Sequence, residues 1–392
     1  MNRVPAGPDG PDPDLLLTLL RRSAQTDPDR LVELLREVLE PAGFGSIDLR
    51  LVDQRCLSLL PFSMSGPGST AVTIEGTRPG DAFREQRPVV EGDRVWLPVT
   101  ETAERLGVLG VVPPGSVEAA VPFCEELARL TGQLLHTRGR YTDTFLRARR
   151  REPMELAAEL QWTMLPPLEF ASPSVAVAAA IEPAYDVGGD ALDYALDGGV
   201  LHFALFDAMG HGLEAATISA LATGAYRNGR RAGRPLHELM HQVDDVLLQH
   251  FGGDRFVTGQ MGRLDVVSGR LTWLNAGHPQ PLLLRSGADI EALQAPPRIP
   301  LGLGPDLAVQ AEAVLGPGDR LLLHSDGLIE GRDASGSPFG VERLRRLVTE
   351  HPEADLHALA YLVVAASLAY QGGETRDDAT VLILALGSGL PD

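Results

Sequence analysis

The sequence predicts an α+β protein with two folded domains joined by a short helical linker. The chain has 392 residues, which exceeds the usual size of one domain. Stretches with helical periodicity alternate with short runs of alternating apolar residues that are typical of strands. The hydrophobic content of 44% is enough for full cores, and 42 glycines and 30 prolines predict many loops.

Charge and cysteine content narrow the class of protein. Arginine and lysine total 34 against 53 aspartates and glutamates, and the resulting charge of −19 disfavours nucleic acid and anionic lipid as partners. Two cysteines, Cys56 and Cys124, form neither a disulfide framework nor a four-sulfur zinc site. No apolar run is long enough to cross a membrane, and residues 1–14 lack an apolar signal core. We therefore expect a soluble cytoplasmic protein.

The N-terminal part predicts a small α+β domain over residues 14–140. A Pro-, Gly- and Asp-rich segment, residues 1–13, is expected to be a disordered tail. Helical spacing then covers 15–39, short strands cover 47–112, and a helix covers 118–135. Helices that bracket a mostly antiparallel sheet are typical of such domains.

Residues 141–165 are predicted to form a helical linker. Six arginines lie within 136–153, and they indicate either a solvated helix end, which we favour, or a docking surface for an acidic partner or another part of the chain. Pro153 suits the first turn of a helix over 154–165 that ends at Pro166–Pro167. Leu156, Leu160 and Met164 recur at helical spacing on it.

Residues 166–387 predict a sandwich of long strands with a few helices. The predicted helices cover 212–227, 235–250 and 354–370. The predicted strands cover 175–181, 201–206, 258–265, 270–275, 282–285, 319–324 and 379–386.

Aspartates stand next to the ends of strands, each with a glycine within three residues or a second aspartate alongside. They are Asp190, Asp207, Asp326 and the pair Asp377–Asp378. Taken singly, each is more often a turn residue or a helix N-cap. Taken together, converging carboxylates repel one another unless cations neutralise them. Hard oxygen ligands suit Mg²⁺ or Mn²⁺, and two such ions suit in-line phosphoryl displacement by water.

The ordered motifs of this region closely resemble the PPM family of metal-dependent protein Ser/Thr phosphatases, in its bacterial SpoIIE/RsbU-like branch. The resemblance covers about 156–386. The motifs are AELQWTMLPP (158–167), VGGDALDY (187–194), DAMGHGLEAA (207–216), LNAGHPQPLLL (274–284), HSDGLIEGRD (324–333) and RDDATVLIL (376–384). The resemblance implies an αββα sandwich with metals in a cleft at one end. It also implies that the helix at 154–165 acts as a switch.

The resemblance also implies a ligand set of two or more Mn²⁺ or Mg²⁺ ions. Asp190 and Asp207 are the expected catalytic metal ligands, and one of them bridges both ions. The carbonyl of Ala208, together with Asp326 and Asp377, completes the shell, with Asp378 as the alternative to Asp377 if the register slips. Three further residues are weighed as support: Asp193 through hydrogen bonds or a metal-bound water, His211 without a decision between structure and catalysis, and His278 mainly for structure.

A second resemblance concerns the N-terminal domain. GTRPGDAFREQRPVV (76–90) and DRVWLPVTETAERLGVLGVV (93–112) resemble a GAF domain. This implies a sensor or dimerisation module, with no ligand indicated. Apolar stripes predict a homodimer, or else packing within one subunit; they comprise Leu127, Leu130 and Leu134 on one helix and Leu156, Leu160 and Met164 on another.

The expected function is hydrolysis of phosphoserine or phosphothreonine in signal transduction. In the branch that this chain resembles, the usual substrate is a phosphorylated STAS-type anti-anti-sigma factor, whose dephosphorylation frees a sigma factor by partner switching. Two alternatives stay open. GGDAL (188–192) loosely resembles the turn of diguanylate cyclases, and the domain could instead be a non-catalytic phosphoprotein-binding module.

Overall fold

The computed structural model describes residues 12–62, 70–183, 185, 188–286, 290–296, 298–304, 306–373 and 377–387. Most of the predicted tail, and Val187 of the first aspartate motif, lie outside the described residues. The chain divides into two compact units, Met1–Glu152 and Pro153–Asp392. The division falls inside the predicted linker, so residues 141–152 belong to the first unit and 153–165 to the second.

The first unit is a six-stranded antiparallel sheet with helices, as the sequence pattern predicts. The strand order is β3-β2-β1-β6-β5-β4. Its elements are α1 (Asp14–Ser23), α2 (Leu31–Leu39), β1 (Ile47–Val52), β2 (Ser58–Pro61), β3 (Val72–Thr73), α3 (Arg78–Glu85), β4 (Val89–Glu91), β5 (Arg94–Glu101), β6 (Glu104–Val111), α4 (Val117–Gly139) and α5 (Thr144–Ala148).

Helix α4 uses its apolar stripe inside the first unit. Leu127 and Leu134 are buried in the core that α4 shares with the sheet, and Leu130 packs against the same core. The α4 stripe, one of the two predicted dimer surfaces, therefore packs within one subunit.

Arginines of the predicted linker contact their own unit. Arg149 Nε donates to the Val52 carbonyl at 3.0 Å, and Arg151 donates to Ser58 Oγ at 3.1 Å. The buried Asp53 lies 3.9 Å from the same Arg151 guanidinium. Arg149 and Arg151 therefore dock on another part of the chain, as one of the two interpretations of the basic segment predicts, while the Arg151 side chain stays 48% exposed.

The second unit is a sandwich of two antiparallel sheets, with strand orders β15-β12-β11-β10-β9 and β14-β13-β16-β17-β8-β7. Its helices are α6 (Leu156–Met164), α7 (Gly212–Arg231), α8 (Leu236–Phe251), α9 (Asp326–Glu330), α10 (Val341–Glu350) and α11 (Leu356–Tyr370). Its strands are β7 (Glu169–Ala171), β8 (Val175–Glu182), β9 (Asp190–Asp197), β10 (Val200–Ala208), β11 (Val257–Asp265), β12 (Arg270–Ala276), β13 (Leu282–Leu284), β14 (Ile290–Ala292), β15 (Ala311–Val314), β16 (Arg320–His324) and β17 (Ala379–Leu386).

Three apolar layers build this unit, and they confirm the predicted αββα order. The middle layer lies between the two sheets. Helices α7 and α8 cover the outer face of the β9–β12 sheet. Helices α10 and α11 cover the outer face of the β8–β17 sheet. Because successive side chains of a strand point to opposite faces, each sheet contributes side chains both to the core between the sheets and to the core under its helices.

The structure differs in several places from the elements predicted for this unit. Strand β9 begins at Asp190 itself, where the Gly-Gly-Asp run had favoured only a turn. Helix α10 was not predicted. Helix α6 begins at Leu156, after Pro153, and buries Ala157, Ala158 and Gln161, whereas Leu156 is 64% exposed.

Within the described part of the chain, none of the helices combines the length and apolarity that a membrane span requires.

Candidate metal centre

Two of the predicted aspartates face each other across neighbouring strands. In the antiparallel register of β9 and β10, Asp190 lies directly opposite Asp207. Asp190 is the first residue of β9, and Asp207 is the last but one of β10. Directly paired residues of adjacent strands hold their Cβ atoms about 5 Å apart. The sheet register therefore brings together two carboxylates that are 17 positions apart in the chain.

The other sheet delivers its aspartates to the same end of the sandwich. Asp326 begins α9 just after β16, and Asp377 and Asp378 precede β17, the strand paired with β16. Gly327 makes this approach feasible, because a Cβ atom there would lie 2.3 Å from the carbonyl oxygen of Asp378. The glycine after Asp326 is thus required by packing.

The pKa values of these carboxyl groups show how closely they cluster. Burial, followed by the charges of Asp326, Asp377 and Asp378, raises the pKa of Asp207 to about 8. Burial, followed by the charges of Asp207 and Asp378, raises the pKa of Asp190 well above its ordinary value. Both sheets therefore contribute to one electrostatically coupled group.

Burial also raises the pKa values of Asp326 and Asp377. Burial is the main reason that the pKa of Asp326 is raised, and the charge of Asp377 adds to it. The pKa of Asp377 is also raised chiefly by burial. A water-poor cluster of acids that resist ionisation is the situation that bound cations relieve.

Asp377 and Asp378 have different surroundings. Asp378 is buried, and its Oδ2 accepts hydrogen bonds from the backbone N–H groups of Gly189 at 2.6 Å and Asp190 at 2.9 Å. Burial raises its pKa to about 6. Asp377 is more exposed than Asp378, and its Oδ1 accepts a hydrogen bond from the backbone N–H of Asp378 at 2.9 Å. In this geometry the Asp378 side chain connects the start of β17 to the start of β9, whereas the Asp377 side chain makes no contact with the β9 backbone.

Unpartnered oxygens test whether the cluster fits divalent cations. Asp190 Oδ2 and Asp378 Oδ1 are buried without any hydrogen-bond partner. Such atoms cost free energy unless a cation or water satisfies them. An all-oxygen donor set fits Mg²⁺ or Mn²⁺. In the arrangement shown, no three Asp, Glu, His or Cys side chains of the described residues are placed to hold one ion together, so binding requires the carboxylates to draw closer.

The carbonyl of Ala208 lies beside this cluster. A Cβ atom on Gly189 would lie 3.2 Å from the Ala208 oxygen, and the Ala208 N–H donates to the Gly189 carbonyl at 3.2 Å. The Gly189 backbone is held further by a hydrogen bond from Ser219 of α7. The predicted carbonyl ligand is therefore close to the aspartates, on a backbone fixed from two sides.

Asp193 lies on the opposite face of β9 from Asp190. It is three residues further along the strand, so its side chain points towards α7. Its two carboxylate oxygens pair with Arg227 and Arg230, at 2.7 and 3.0 Å. The structure does not bring Asp193 to the other aspartates, and any support that it provides acts through these arginines.

The two histidines differ in burial. His211 is exposed at the start of α7, and its charge lowers the pKa of Asp377 against the dominant effect of burial. His278 is buried, its ring Nδ1 lies 2.9 Å from Thr258 Oγ1, and its backbone N–H donates to Asn275 Oδ1 at 2.8 Å. His278 and Asn275 therefore shape a turn, whereas His211 stands beside the acidic cluster.

Gln161 is a site residue that sequence reasoning missed. Its Nε2 donates to the carbonyl of Asp190 at 2.7 Å and approaches Asp378 Oδ2 at 3.4 Å. Its only signal in the sequence is a polar side chain at a position where helix α6 turns out to be buried. Helix α6 thus touches the backbone of the aspartate cluster directly.

Several known proteins are similar to the C-terminal part of this chain. The family described as Stage II sporulation protein E (SpoIIE) matches residues 197–387, a range that begins after Asp190. The phosphoserine phosphatase RsbU of Bacillus subtilis (strain 168) is 25% identical over 236 residues, which cover 59% of this chain and 69% of RsbU.

Solved structures show the same fold. The RsbU and RsbW domains of a Mycobacterium tuberculosis protein match with a TM-score of 0.50 and 28% identity, over 56% of this chain and 63% of that one. This chain therefore spans less than two thirds of the mycobacterial one. The SiaA-PP2C domain of Pseudomonas aeruginosa matches with a TM-score of 0.50 and 22% identity, over 59% of this chain and 94% of that one. Residues 197–387 therefore resemble the SpoIIE family, and the C-terminal unit has the fold of the SiaA-PP2C domain.

Proposed function

We propose that the chain is a Mg²⁺- or Mn²⁺-dependent protein phosphatase that hydrolyses phosphoserine or phosphothreonine. The observation that carries this proposal is the meeting of Asp190, Asp207, Asp326 and Asp377 at one end of the sandwich, with raised pKa values and unpartnered buried oxygen. A cation bound by several of these carboxylates at once would relieve the repulsion between them most effectively. The SpoIIE-family match supports a phosphatase as the use of that site.

The proposed roles follow from the positions of the side chains. Asp190 and Asp207 are the central ligands because they face each other across β9 and β10. Asp326, Asp377 and the Ala208 carbonyl supply the remaining protein oxygens, and Asp378 fixes the Gly189–Asp190 backbone. When bound, the ions would activate a water molecule and neutralise the phosphoryl oxygens. The water oxygen would bond to phosphorus as the bond from phosphorus to the seryl or threonyl oxygen breaks. A proton from the water would pass to that oxygen, which leaves as the free hydroxyl, and the chain would form no covalent intermediate.

The substrate class is proposed from the relative that acts on phosphoserine. RsbU is named a phosphoserine phosphatase, and the chain covers 69% of its length. We infer a phosphorylated STAS-type anti-anti-sigma factor as substrate, in the cytoplasm of a bacterial partner-switching pathway. The GAF-like identity of the first unit and a homodimer remain part of this proposal. Leu156 is available for such a contact, since it is 64% exposed within its unit.

Two assays test the proposal. Purified protein with Mn²⁺ should release phosphate from a chromogenic phosphate ester and from a phosphoserine-bearing STAS protein, and EDTA should stop both reactions. Asp197→Asn, at the exposed far end of β9, should behave as wild type. Incubation with GTP and Mg²⁺ should give no cyclic dinucleotide. Binding of the phosphoprotein without phosphate release would favour the non-catalytic module and contradict the proposal.

A further inference from the structure

Helix α6 is too short to be stable by itself, so its position depends on the contacts that it makes. It has nine residues, and isolated helices shorter than about 12 residues are marginal in water. Near its start, Gly188 passes directly beneath it, since a Cβ atom there would lie 3.0 Å from the Ala157 carbonyl oxygen. In its last turn, Gln161 binds the Asp190 carbonyl. These contacts hold the body of the helix against the metal centre.

The C-terminal end of α6 is held by an arginine from α7. Arg227 Nη2 donates to the carbonyl of Met164, the last residue of α6, at 2.5 Å. A carbonyl at this position has no partner within the helix, and a positive charge is favourable at a helix C-terminus. Pro166 and Pro167 follow, so the helix cannot continue to satisfy that carbonyl itself. Arg227 therefore closes the last turn.

Asp193 orients this arginine. Arg227 Nε donates to Asp193 Oδ1 at 2.9 Å, and Arg230 donates to Asp193 Oδ2 at 3.0 Å. The Asp193 side chain is only 3% exposed, so these ion pairs are largely shielded from water. Both arginines neutralise the same carboxylate. Among the described residues, however, Arg230 makes no hydrogen bond to α6, whereas Arg227 does.

We propose that Asp193 and Arg227 are positioning residues that form a latch on α6 and, through it, hold the backbone of the metal centre. If Met164 loses its partner, the last turn of α6 frays, and that turn contains Gln161. The Asp190 carbonyl then loses its side-chain donor, and the backbone on the C-terminal side of Asp190 is held less firmly. The consequence for catalysis rests on the proposed function, but the consequence for α6 does not.

Arg227→Gln and Arg230→Gln form a matched pair of variants for testing the latch. Each removes one guanidinium from Asp193, and only Arg227→Gln also removes the contact with Met164. Hydrogen–deuterium exchange of residues 156–164 is measured on the full chain without metal or substrate. The Mn²⁺ concentration for half-maximal turnover and the KM for the phosphoprotein are measured in parallel. If Arg227→Gln does not fold, Arg227→Lys replaces it, because it keeps the charge but cannot bridge both acceptors.

The latch predicts a difference between the two variants. Arg227→Gln should speed exchange in α6 and raise the Mn²⁺ requirement by about 10-fold or more, as expected for loss of a group that supports metal ligands, with KM unchanged. Arg230→Gln should leave α6 exchange as in wild type. Equal exchange in the two variants, or none above wild type in either, overturns the latch. An inactive wild-type protein whose α6 exchange still follows this pattern would overturn the proposed phosphatase and leave the latch standing.

Discussion

The C-terminal unit buries two groups of aspartates, and it neutralises them differently. Asp193 and Asp244 are paired with arginines, and the Arg298–Asp244 pair is 2.9 Å long with both side chains at most 4% exposed. Asp190 and Asp378 are equally buried, yet they each keep an oxygen without a partner. Among the residues that the structure describes, neither of them forms a salt bridge with arginine or histidine.

The presence or absence of an arginine partner indicates which carboxylates need a bound metal ion to neutralise them. Burying a charge without a partner is expensive, so a protein normally pairs it or leaves it protonated. Asp244 is paired, and it also accepts a hydrogen bond from the Gly302 N–H. Asp207 and its neighbours have raised pKa values instead. The first group stabilises the fold as it stands, whereas the second is costly to the fold until ions bind.

The clustered aspartates without an arginine partner among the described residues are here called the unpaired group: Asp190, Asp207, Asp326, Asp377 and Asp378. The largest expected effect comes from removing one of their carboxylates. Asp207→Asn should abolish Mn²⁺-dependent turnover, because it removes a central ligand of the proposed site. In EDTA the variant should melt at a higher temperature than wild type, since one source of repulsion is gone. Turnover is measured with a phosphate ester and melting by differential scanning calorimetry. Near wild-type turnover in this variant would refute the site assignment.

Removing the arginine partner of a paired aspartate should instead lower the stability of the fold. Arg298→Met leaves Asp244 buried without its cation, and breaking a buried pair lowers the free energy of unfolding by about 3–5 kcal/mol. Chemical denaturation in EDTA measures the change. Arg270→Met is the matched control, because its pair with Glu312 is exposed and should contribute less than about 1 kcal/mol. Similar losses in the two variants would remove the distinction between the paired and the unpaired group.

The sequence was sufficient to find the unpaired group but not its surroundings. Asp190, Asp207, Asp326 and Asp377 each stand at or next to a strand end, with a glycine within three residues or a second aspartate alongside, and the strand ends of a sandwich converge. The direction of the Asp193 side chain could not be predicted, because it depends on β9 being a strand from Asp190 onwards. Local turn propensity around Gly-Gly-Asp hid that strand.

Contacts between distant positions account for the rest of what the sequence did not predict. Gln161 reaches Asp190 across 29 residues and Asp378 across 217. No local pattern encodes such pairings, since they follow from how α6 packs on the sandwich. For the same reason the stripe of Leu156, Leu160 and Met164, which predicts either a dimer contact or packing within one subunit, is not the buried face of α6. The helix instead buries two alanines and Gln161, because small residues allow its backbone to approach Gly188.

A moderate effect is expected from the contact between α6 and the unpaired group. Gln161→Ala removes the donor to the Asp190 carbonyl, and loss of such a supporting contact typically weakens metal affinity by about 10- to 100-fold. Mn²⁺ titrations of turnover and calorimetric Mn²⁺ binding measure it. Thr163→Ala, on the exposed side of the same helix, loses only a bond to the Glu159 carbonyl and should match wild type. An unchanged Mn²⁺ affinity in Gln161→Ala would show that α6 merely covers the site.

The last prediction is a pH dependence of stability to which the unpaired group contributes. Asp207 has a folded-state pKa of about 8, against an ordinary value of 3.8. Between those values the folded protein holds a proton that the unfolded chain releases. The contribution of Asp207 to stability is therefore complete below about pH 4 and is lost as pH rises towards 8.

In EDTA, the melting temperature of wild type should fall over this pH window more steeply than that of Asp207→Asn. Saturating Mn²⁺ should reverse the sign, because ions bind the ionised carboxylates and their affinity grows with pH. Arg270→Met should keep the wild-type slope, since its exposed pair is remote from the cluster in the sheet order. If wild type and Asp207→Asn show parallel slopes in EDTA, the raised pKa is not what distinguishes the two groups of aspartates.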